Sequence, residues 1–375
     1  MPVNRRDWLK QSSLAALGLG LTLRSSAREE CLPKQLGLET GIINLGSNEN
    51  PYGISPLSKK AITDMLGEAN RYPFNIASLK SFKTEIADYY KLSPGQVLIT
   101  AGSGEALNLL ARYYSGGNIV TGDPTFGILP NTAKKIGTQV VEVPLTYDKV
   151  HDLDAMLKAI NDKTKLVYIC NPANPTTTIL QPAQLKRFCE EASKKTAVAI
   201  DEAYIDYVEP PDNISLLDMI DKNPNIIILR TFSKIHAMAG LRLGFAAAHP
   251  ELIRKLSADY FGNTQFCTSV LTQTAVLASL KDEEHRRNSK QKNAAVKKYT
   301  VDELKKLNYR IATSHTNFLF FQLKKATGDF AREILDQNNI ILRSTIYPDG
   351  NWCRVSLGTM EEMQQFMNAF KEKNA

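Results

Sequence analysis

A single lysine, Lys234, follows the apolar run "NIIILRTF" and one serine, and mostly small or apolar residues continue from it to Arg242. Lysine side chains are strongly hydrated and are rarely buried without a partner. Lys234 is therefore either an ordinary surface charge at the end of a strand or an amine placed there for chemistry. Burial would favour the second role, because it lowers the pKa of the amine and makes it nucleophilic.

Polar residues follow three other apolar runs. Asp201 ends "TAVAID", and a carboxylate at the end of a buried strand is costly unless a basic side chain or a protonated ring nitrogen pairs with it. Asn174 follows "LVYIC" between two prolines, where a turn is the simpler interpretation. The stretch "GSGE" follows "QVLIT" and precedes a helical pattern. Its backbone N–H groups could hold a phosphate or could merely cap the helix.

The elements that must position these residues alternate between strands and helices from about residue 95 to 250. "QVLIT", "NIVTG", "QVVEVPL", "KLVYIC", "TAVAID", "NIIILRTF" and "RLGFAAA" are typical of strands, and several are apolar throughout. Between the early ones lie amphipathic helical patterns such as "GEALNLLARYYS" and "PAQLKRFCEEASKK". This alternation predicts an α/β fold with a mostly parallel sheet covered by helices. Ligands bind at the carboxyl ends of such strands, so the polar residues are expected to meet at one edge.

Length, net charge and cysteine spacing disfavour some classes of protein. The 375 residues suggest two domains, or a large domain with a smaller companion. The net charge of +7 is modest, and no basic run is interleaved with aromatic residues, so nucleic-acid binding is not expected. No C-x-x-C pair occurs among the cysteines, so we expect no metal site. The cysteines are odd in number: Cys31, Cys170, Cys189, Cys267 and Cys353.

The N-terminal segment differs from the rest of the chain. Its "RRDWLK" resembles the twin-arginine export signal, with Asn4 and Trp8 at positions where Ser or Thr and Phe are usual. A short, weakly apolar stretch follows, which suits a signal peptide better than a membrane span. We predict export to the periplasm by the twin-arginine machinery, with cleavage near Ala27. The alternatives are an amphipathic helix or an uncleaved anchor, and a cytoplasmic location if the signal does not function.

A lysine, an aspartate, an asparagine, a tyrosine, an arginine and a phosphate cradle at one sheet edge form a set that a pyridoxal phosphate enzyme needs. The lysine condenses with the cofactor aldehyde as a Schiff base. The aspartate keeps the pyridine nitrogen protonated, so that the ring can withdraw electrons. Backbone N–H groups, hydroxyls and the arginine hold the phosphate.

The chain resembles the fold-type I pyridoxal phosphate-dependent aminotransferases, and within them the histidinol-phosphate aminotransferase family. Motifs that carry the resemblance run in family order over nearly the whole chain after the signal. They are "NENPYG" (48–53), "RYP" (71–73), "GSGEAL" (102–107), "DPTFG" (123–127), "NPANPT" (171–176), "DEAY" (201–204), "TFSK" (231–234), "GLRLG" (240–244) and "ILR…WCRVSLGT" (341–359).

The resemblance implies a large domain with the aspartate aminotransferase-like fold and a smaller α+β domain. We predict a signal peptide at 1–27 and an N-terminal arm at 28–70 that contributes to the small domain. The large cofactor-binding domain is predicted at 71–255, and the small C-terminal domain at 256–375.

The resemblance also implies a role for each site residue. Lys234 would form the Schiff base and move the proton at the substrate α-carbon, Asp201 would pair with the ring nitrogen, and Tyr204 would assist catalysis. Tyr204 and Asn174 would bind the phenolic oxygen. The remaining cofactor contacts would be Phe126 on the ring and Ser103, Gly104, Thr231, Ser233 and Arg242 at the phosphate.

Two further sets of residues follow from the resemblance. Tyr72 would reach the phosphate of a neighbouring subunit, which implies a homodimer with a shared active site. Arg354 would bind the substrate anion, with Arg343, Asn50 and Tyr52 lining the pocket. The sequence departs from the family at Gly104, where Asp or Asn is common, at Phe126, where Tyr is frequent, and at Thr177, where Gly is usual.

The implied reaction transfers an amino group from an amino acid or histidinol phosphate to a 2-oxo acid. Decarboxylation and racemisation stay open, because the same Lys234 and Asp201 would serve them. A non-enzymatic exported binding protein is a further alternative, although such a protein needs no Schiff-base lysine. Export also fits poorly with histidine biosynthesis, whose intermediates are made in the cytoplasm.

Overall fold

The computed structural model describes residues 41–374, except 211–213, 259–267 and 325–329. The predicted signal peptide at 1–27 and the start of the predicted arm, residues 28–40, lie outside the described residues. The elements below all belong to the unit that begins at Ile43.

Twelve strands and eleven α-helices form from the described residues. The strands are β1 (Ile43–Asn44), β2 (Val97–Thr100), β3 (Asn118–Asp123), β4 (Gln139–Pro144), β5 (Thr164–Cys170), β6 (Ala197–Asp201), β7 (Ile226–Thr231), β8 (Gly244–Ala248), β9 (Phe318–Gln322), β10 (Ile340–Ile341), β11 (Arg343–Tyr347) and β12 (Gly350–Ser356). The helices are α1 (Pro56–Met65), α2 (Phe82–Tyr89), α3 (Ser103–Tyr113), α4 (Ile128–Lys135), α5 (Leu153–Ala159), α6 (Pro182–Ala192), α7 (Pro250–Leu256), α8 (Val270–Lys281), α9 (Glu283–Lys306), α10 (Phe330–Asn338) and α11 (Met360–Asn374).

The seven apolar runs form one seven-stranded sheet, in the order β2-β8-β7-β6-β5-β3-β4. Strands β2, β7, β6, β5, β3 and β4 point the same way, whereas β8, which lies between β2 and β7, runs antiparallel to both. Alternate residues point to opposite faces of a strand. Along β7, Ile226 and Ile228 therefore join one hydrophobic cluster and Ile227 and Leu229 the other. The predicted α/β fold with a mostly parallel sheet is confirmed.

The strand order reverses direction at β3. Strand β3 lies between β4 on one side and β5 on the other, so the chain extends the sheet both ways from this point. Such a switch point leaves a crevice at the carboxyl ends of the strands, where ligands bind in open α/β sheets. The loops that follow β3 and β5 carry Phe126 and Asn174.

A smaller antiparallel sheet, in the order β11-β12-β9, forms from the C-terminal third of the chain. On one face Leu319, Phe321, Cys353 and Val355 pack in a second hydrophobic core. The opposite face carries Arg354 and its two register partners, Arg343 and Phe320. Residues two positions along each strand share that face. They are Thr345, Phe318 and Trp352.

The segment before the large sheet packs against two parts of the molecule, the C-terminal core and helix α8. Strand β1 pairs with β10, and Leu45 packs in the C-terminal core. Helix α1 instead packs against α8, where the Ser58 hydroxyl donates to the Ala275 carbonyl at 2.8 Å. The domain bounds given above stay predictions. Among the described residues, no helix combines the length and the apolar character needed to cross a membrane.

Gly244 begins β8 where that strand passes closest to the start of α3. A β-carbon there would lie 2.6 Å from the Arg230 carbonyl oxygen and 2.7 Å from the Ser103 nitrogen. Both are backbone atoms, so relief would require a shift of β7 or of the helix terminus. We therefore expect Gly244→Ala to lower the free energy of unfolding by about 1–3 kcal/mol, measured by urea denaturation.

Gly67→Ala is the matched control, because a β-carbon at the exposed Gly67 meets no atom within 4 Å. We expect this control to change stability by less than about 0.5 kcal/mol. Equal effects of the two substitutions would contradict the close approach at Gly244.

Candidate active site

A cavity of about 440 Å³ lies at the carboxyl edge of the large sheet, next to the smaller sheet. It brings together most of the residues predicted from the sequence. Those that line it are Ser103, Gly104, Phe126, Asn174, Asp201, Tyr204, Thr231, Ser233, Lys234, Arg242, Arg343 and Arg354.

Lys234 lies in the turn that follows β7, with its half-buried side chain at the cavity. Its Nζ donates to the Asn48 carbonyl at 3.0 Å and lies 5.5 Å from the centre of the Tyr204 ring. Burial, with the positive charge of Arg354 next in size, lowers the pKa of Lys234 to about 8. A substantial share of this amine is therefore neutral and nucleophilic at mildly alkaline pH.

Asp201 ends β6 and is only 1% exposed. One carboxylate oxygen accepts from the Ala203 N–H at 3.1 Å, and the other accepts from the Tyr168 hydroxyl at 3.4 Å. The next residue, Glu202, is equally buried but pairs with Arg230 at 2.8 Å. Asp201 forms no such ion pair with any described residue, and burial raises its pKa to about 6. A bound cation, such as a protonated ring nitrogen, fits this position.

The Tyr204 hydroxyl is the centre of a hydrogen-bond chain. It accepts from the Asn48 amide at 3.0 Å and from the Asn174 amide at 3.3 Å. Asn174 in turn accepts from an Arg354 Nη at 2.9 Å. Burial raises the pKa of Tyr204 above its usual range, so the phenol stays protonated. Because both amides donate to it, its own proton is available to a bound group.

The start of α3 and the Arg242 side chain form a compact anion cradle. Gly102, with φ of +84°, precedes the helix, whose first N–H groups lack intrahelical acceptors. A β-carbon on Gly102 would lie 2.5 Å from an Arg242 Nη, so a larger residue would displace the guanidinium from this position. Across the cavity wall, the Ser233 N–H donates to the Thr231 hydroxyl at 3.2 Å. Together with the isolated Asp201, this cradle fits a phosphorylated pyridine such as pyridoxal phosphate.

Two arginines face each other on neighbouring strands of the smaller sheet. Arg343 and Arg354 are directly opposite in the register, and both donate to the Gly46 carbonyl, at 3.1 and 2.5 Å. Like charges in this arrangement repel each other. Burial, and to a lesser extent Arg343, lower the pKa of Arg354. An anionic ligand would relieve this repulsion, so the pair is suited to a carboxylate or a phosphate.

Three predicted residues do not line the cavity. Asn50 donates to the Ile235 carbonyl at 3.0 Å, and its own side-chain oxygen accepts from the Tyr52 N–H at 3.1 Å. The Tyr52 ring lies 4.8 Å from the Lys292 Nζ. Tyr72 is 61% exposed and stacks on a neighbouring phenylalanine. Their roles in substrate binding and in a shared active site stay predictions.

Asn48 is the functional residue that sequence reasoning missed, although it opens the quoted motif "NENPYG". It is 1% exposed and has φ of +54°, a conformation that few non-glycine residues adopt. It contacts Lys234 and Tyr204, and its side chain also accepts from the Ser356 hydroxyl at 3.1 Å. Sequence offered only the clustering of two asparagines before a proline, which did not indicate which of them faces the lysine.

The isolated carboxylate of Asp201 should destabilise the protein without cofactor. Its folded pKa of about 6 lies above the ordinary 3.8, so its stabilising contribution exists below about pH 4 and is lost as pH rises through 6. We expect Asp201→Asn to raise the free energy of unfolding of the cofactor-free protein at about pH 8, by up to about 3 kcal/mol. Urea denaturation at several pH values measures this difference.

The gain in free energy of unfolding from Asp201→Asn should shrink as the pH is lowered toward 4. Asp218→Asn is the control, because the Asp218 side chain is 72% exposed. The control should show little effect at any pH. An Asp201→Asn protein that is less stable than wild type at about pH 8 would contradict the isolated carboxylate.

Comparison with known proteins agrees with this site. Residues 40–370 match the family described as aminotransferase class I and II. The histidinol-phosphate aminotransferase of Brevibacillus brevis is 36% identical over 341 residues, which cover 90% of this chain and 92% of that protein.

Solved structures share the fold. A protein from Erwinia carotovora atroseptica superposes with a TM-score of 0.81 at 31% identity, over 89% of this chain and 97% of that one. The histidinol-phosphate aminotransferase of Sinorhizobium meliloti, solved with pyridoxal-5'-phosphate, has a TM-score of 0.79 at 24% identity, over 94% and 98%. The chain therefore belongs to the class I and II aminotransferases, which are pyridoxal phosphate-dependent enzymes of fold type I.

Proposed function

We propose that this aminotransferase takes its amino group from an anionic donor, an amino acid or a phosphorylated amine such as histidinol phosphate, and passes it to a 2-oxo acid. The observation that carries the proposal is the position of Lys234 and Asp201 in one cavity with the opposed Arg343 and Arg354. The name of the Brevibacillus brevis relative supports a phosphorylated donor.

Pyridoxal phosphate, when bound, supplies an aldehyde that condenses with amines and a ring that withdraws electrons. Lys234 presents an amine of lowered pKa for that condensation and later holds the proton of the donor's α-carbon. Asp201 keeps the ring nitrogen protonated, and Tyr204 donates its free proton toward the phenolic oxygen.

The remaining residues orient the bound groups. The first N–H groups of α3, the Arg242 guanidinium and the hydroxyls of Thr231 and Ser233 hold the cofactor phosphate. Arg343 and Arg354 hold the donor's carboxylate or phosphate. Asn174 connects the cofactor-binding residues to the donor-binding arginines, because it contacts both Tyr204 and Arg354.

Family membership disfavours the alternatives that the sequence left open. The curated relative is a transaminase by name, so decarboxylation and racemisation are not favoured. An exported protein that only binds a solute is not favoured either, because the chain matches an enzyme family over residues 40–370.

Borohydride reduction of the cofactor-loaded enzyme tests the role of Lys234. We expect mass spectrometry to place the reduced cofactor on Lys234, and Lys234→Ala to lower the rate of transamination by at least about 10²-fold. Lys297 is the matched control: burial also lowers its pKa to about 8, but its Nζ donates to the Ser314 carbonyl at 3.0 Å, away from the cavity.

Lys297→Ala should keep both the labelling of Lys234 and the activity. Label on Lys297 instead of Lys234, or normal turnover by Lys234→Ala, would contradict the assignment of Lys234 as the catalytic amine.

We propose further that the chain is exported by the twin-arginine route and acts as a homodimer in the periplasm. Adjacent Arg5 and Arg6 support export, since this route carries folded, cofactor-loaded proteins. The exposed Tyr72 supports a dimer, because the resemblance assigns its contact to a neighbouring subunit.

Cell fractionation tests both parts of this proposal. We expect the wild-type protein in the periplasmic fraction, without residues 1–27 and with the mass of a dimer. The double substitution Arg5→Lys with Arg6→Lys keeps the charge and should hold the full-length chain in the cytoplasm. A wild-type chain found only in the cytoplasm with its N-terminus intact would contradict export. A monomeric mass would contradict the proposed dimer.

A further inference from the structure

The hairpin of β11 and β12 carries the arginine pair to which the donor's anion is assigned. Its turn, between Tyr347 and Gly350, contains Asp349. Lys149 lies in the loop between β4 of the large sheet and α5, and its Nζ is 2.6 Å from an Asp349 carboxylate oxygen. The Lys149 side chain is only 12% exposed. The ion pair is therefore partly shielded from solvent, and it ties the large sheet to the hairpin.

The same lysine also contacts the hairpin next to the arginines. Its Nζ lies 4.9 Å from the centre of the Trp352 ring, an arrangement in which an ammonium is attracted to the aromatic face. Trp352 is two residues before Arg354 in β12 and lies on the same face of the smaller sheet. The Asp349 carbonyl accepts from the Gln322 side chain at 2.6 Å, which fixes the turn against β9. Lys149 therefore holds the hairpin at two points, at its turn and beside Arg354.

The backbone of Lys149 contacts the loop that carries Asn174. The Lys149 carbonyl accepts from the Thr178 hydroxyl at 2.8 Å. The Thr178 carbonyl in turn accepts from the N–H of Ala173, the residue before Asn174, at 2.8 Å. Lys149 has φ of +64°, a conformation that few non-glycine residues adopt and that surrounding contacts must maintain. One residue thus links the hairpin of Arg354 to the loop of its hydrogen-bond partner, Asn174.

We propose that Lys149 is a positioning residue for the amino donor, which sets the separation between the arginine pair and Lys234. The inference rests on the proposed function, because it takes Arg343 and Arg354 to hold the donor's anion. Lys234 follows a strand of the large sheet, so a donor that spans the cavity needs the hairpin at a fixed distance from that sheet. A displacement of about 1 Å can cost about 10²-fold in rate. Lys149 does not line the cavity and acts through the hairpin.

Pairs of donors that differ in the anion test the proposal with the full-length, cofactor-loaded enzyme. Histidinol phosphate is compared with histidinol, and histidine is compared with histamine. The second member of each pair lacks the phosphate or the carboxylate, so it gains nothing from the arginines. The measured quantity is the ratio of kcat/KM for the anionic donor to kcat/KM for its counterpart without the anion.

We expect Lys149→Met, which keeps the length of the side chain and removes its charge, to lower this ratio by about 10-fold. Lys149→Arg keeps the charge and should stay within about 3-fold of wild type. Lys149→Glu should lower the ratio further, because its carboxylate repels Asp349, and adding Asp349→Lys should restore at least about 3-fold. The dissociation constant of pyridoxal phosphate should stay within about 2-fold in each variant, since Lys149 does not line the cofactor cavity.

Lys290→Met is the matched control. The Lys290 side chain is 25% exposed and pairs with Glu209 at 2.8 Å, but it does not line the cavity. The control should keep the wild-type ratio. A ratio that Lys149→Met leaves unchanged, or that the control lowers equally, would overturn the proposal. Exchanged charges at 149 and 349 that restore nothing would overturn it as well.

Arg354→Gln separates failure of this proposal from failure of the proposed function. If Arg354→Gln lowers the ratio and Lys149→Met does not, the arginines hold the donor and only the inference about Lys149 is wrong. If neither substitution changes the ratio, the donor's anion does not bind at the arginines, and the proposed function is wrong together with the inference.

Discussion

The burial of one carboxylate, that of Asp201, is the constraint on which the site depends. Asp201 ends a strand that is buried on both faces, and its carboxylate forms no ion pair with any described residue. Its neighbour Glu202 shows that the same sheet can supply one, since Arg230 pairs with it. The fold therefore holds Asp201 at a free-energy cost that a protonated ring nitrogen would offset.

The smaller sheet holds unpaired positive charge. Arg343 and Arg354 repel each other across a strand pair, and neither forms an ion pair with a described carboxylate. The cavity lies between the unpaired Asp201 carboxylate and these two arginines, and the cofactor and the proposed anionic donor would supply the missing partners. Asn174 spans the two regions through Tyr204 and Arg354. Asn48 ties Tyr204 and the Lys234 amine to the smaller sheet through Ser356.

Sequence predicted the large sheet because strands buried on both faces are apolar throughout. It also placed Lys234, Asp201 and Asn174 together, since polar residues after parallel strands meet at one edge. Pattern alone did not reveal that β8 runs antiparallel to its two neighbours, because an apolar run carries no direction. The role of Asn48 depends on a left-handed backbone turn and on contacts with distant residues, and the role predicted for Tyr72 would depend on a second copy of the chain. Neither leaves a periodic signal.

The titration of Asp201 shows whether its carboxylate is held unpaired until the cofactor binds. Carbon NMR of carboxyl-labelled aspartate, with the Asp201 signal assigned by its loss in Asp201→Asn, would follow the group in the cofactor-free protein. We predict a pKa of about 6 that falls well below its ordinary range once pyridoxal phosphate is bound. A pKa near the ordinary value of 3.8 without cofactor, or one that cofactor does not change, would contradict it.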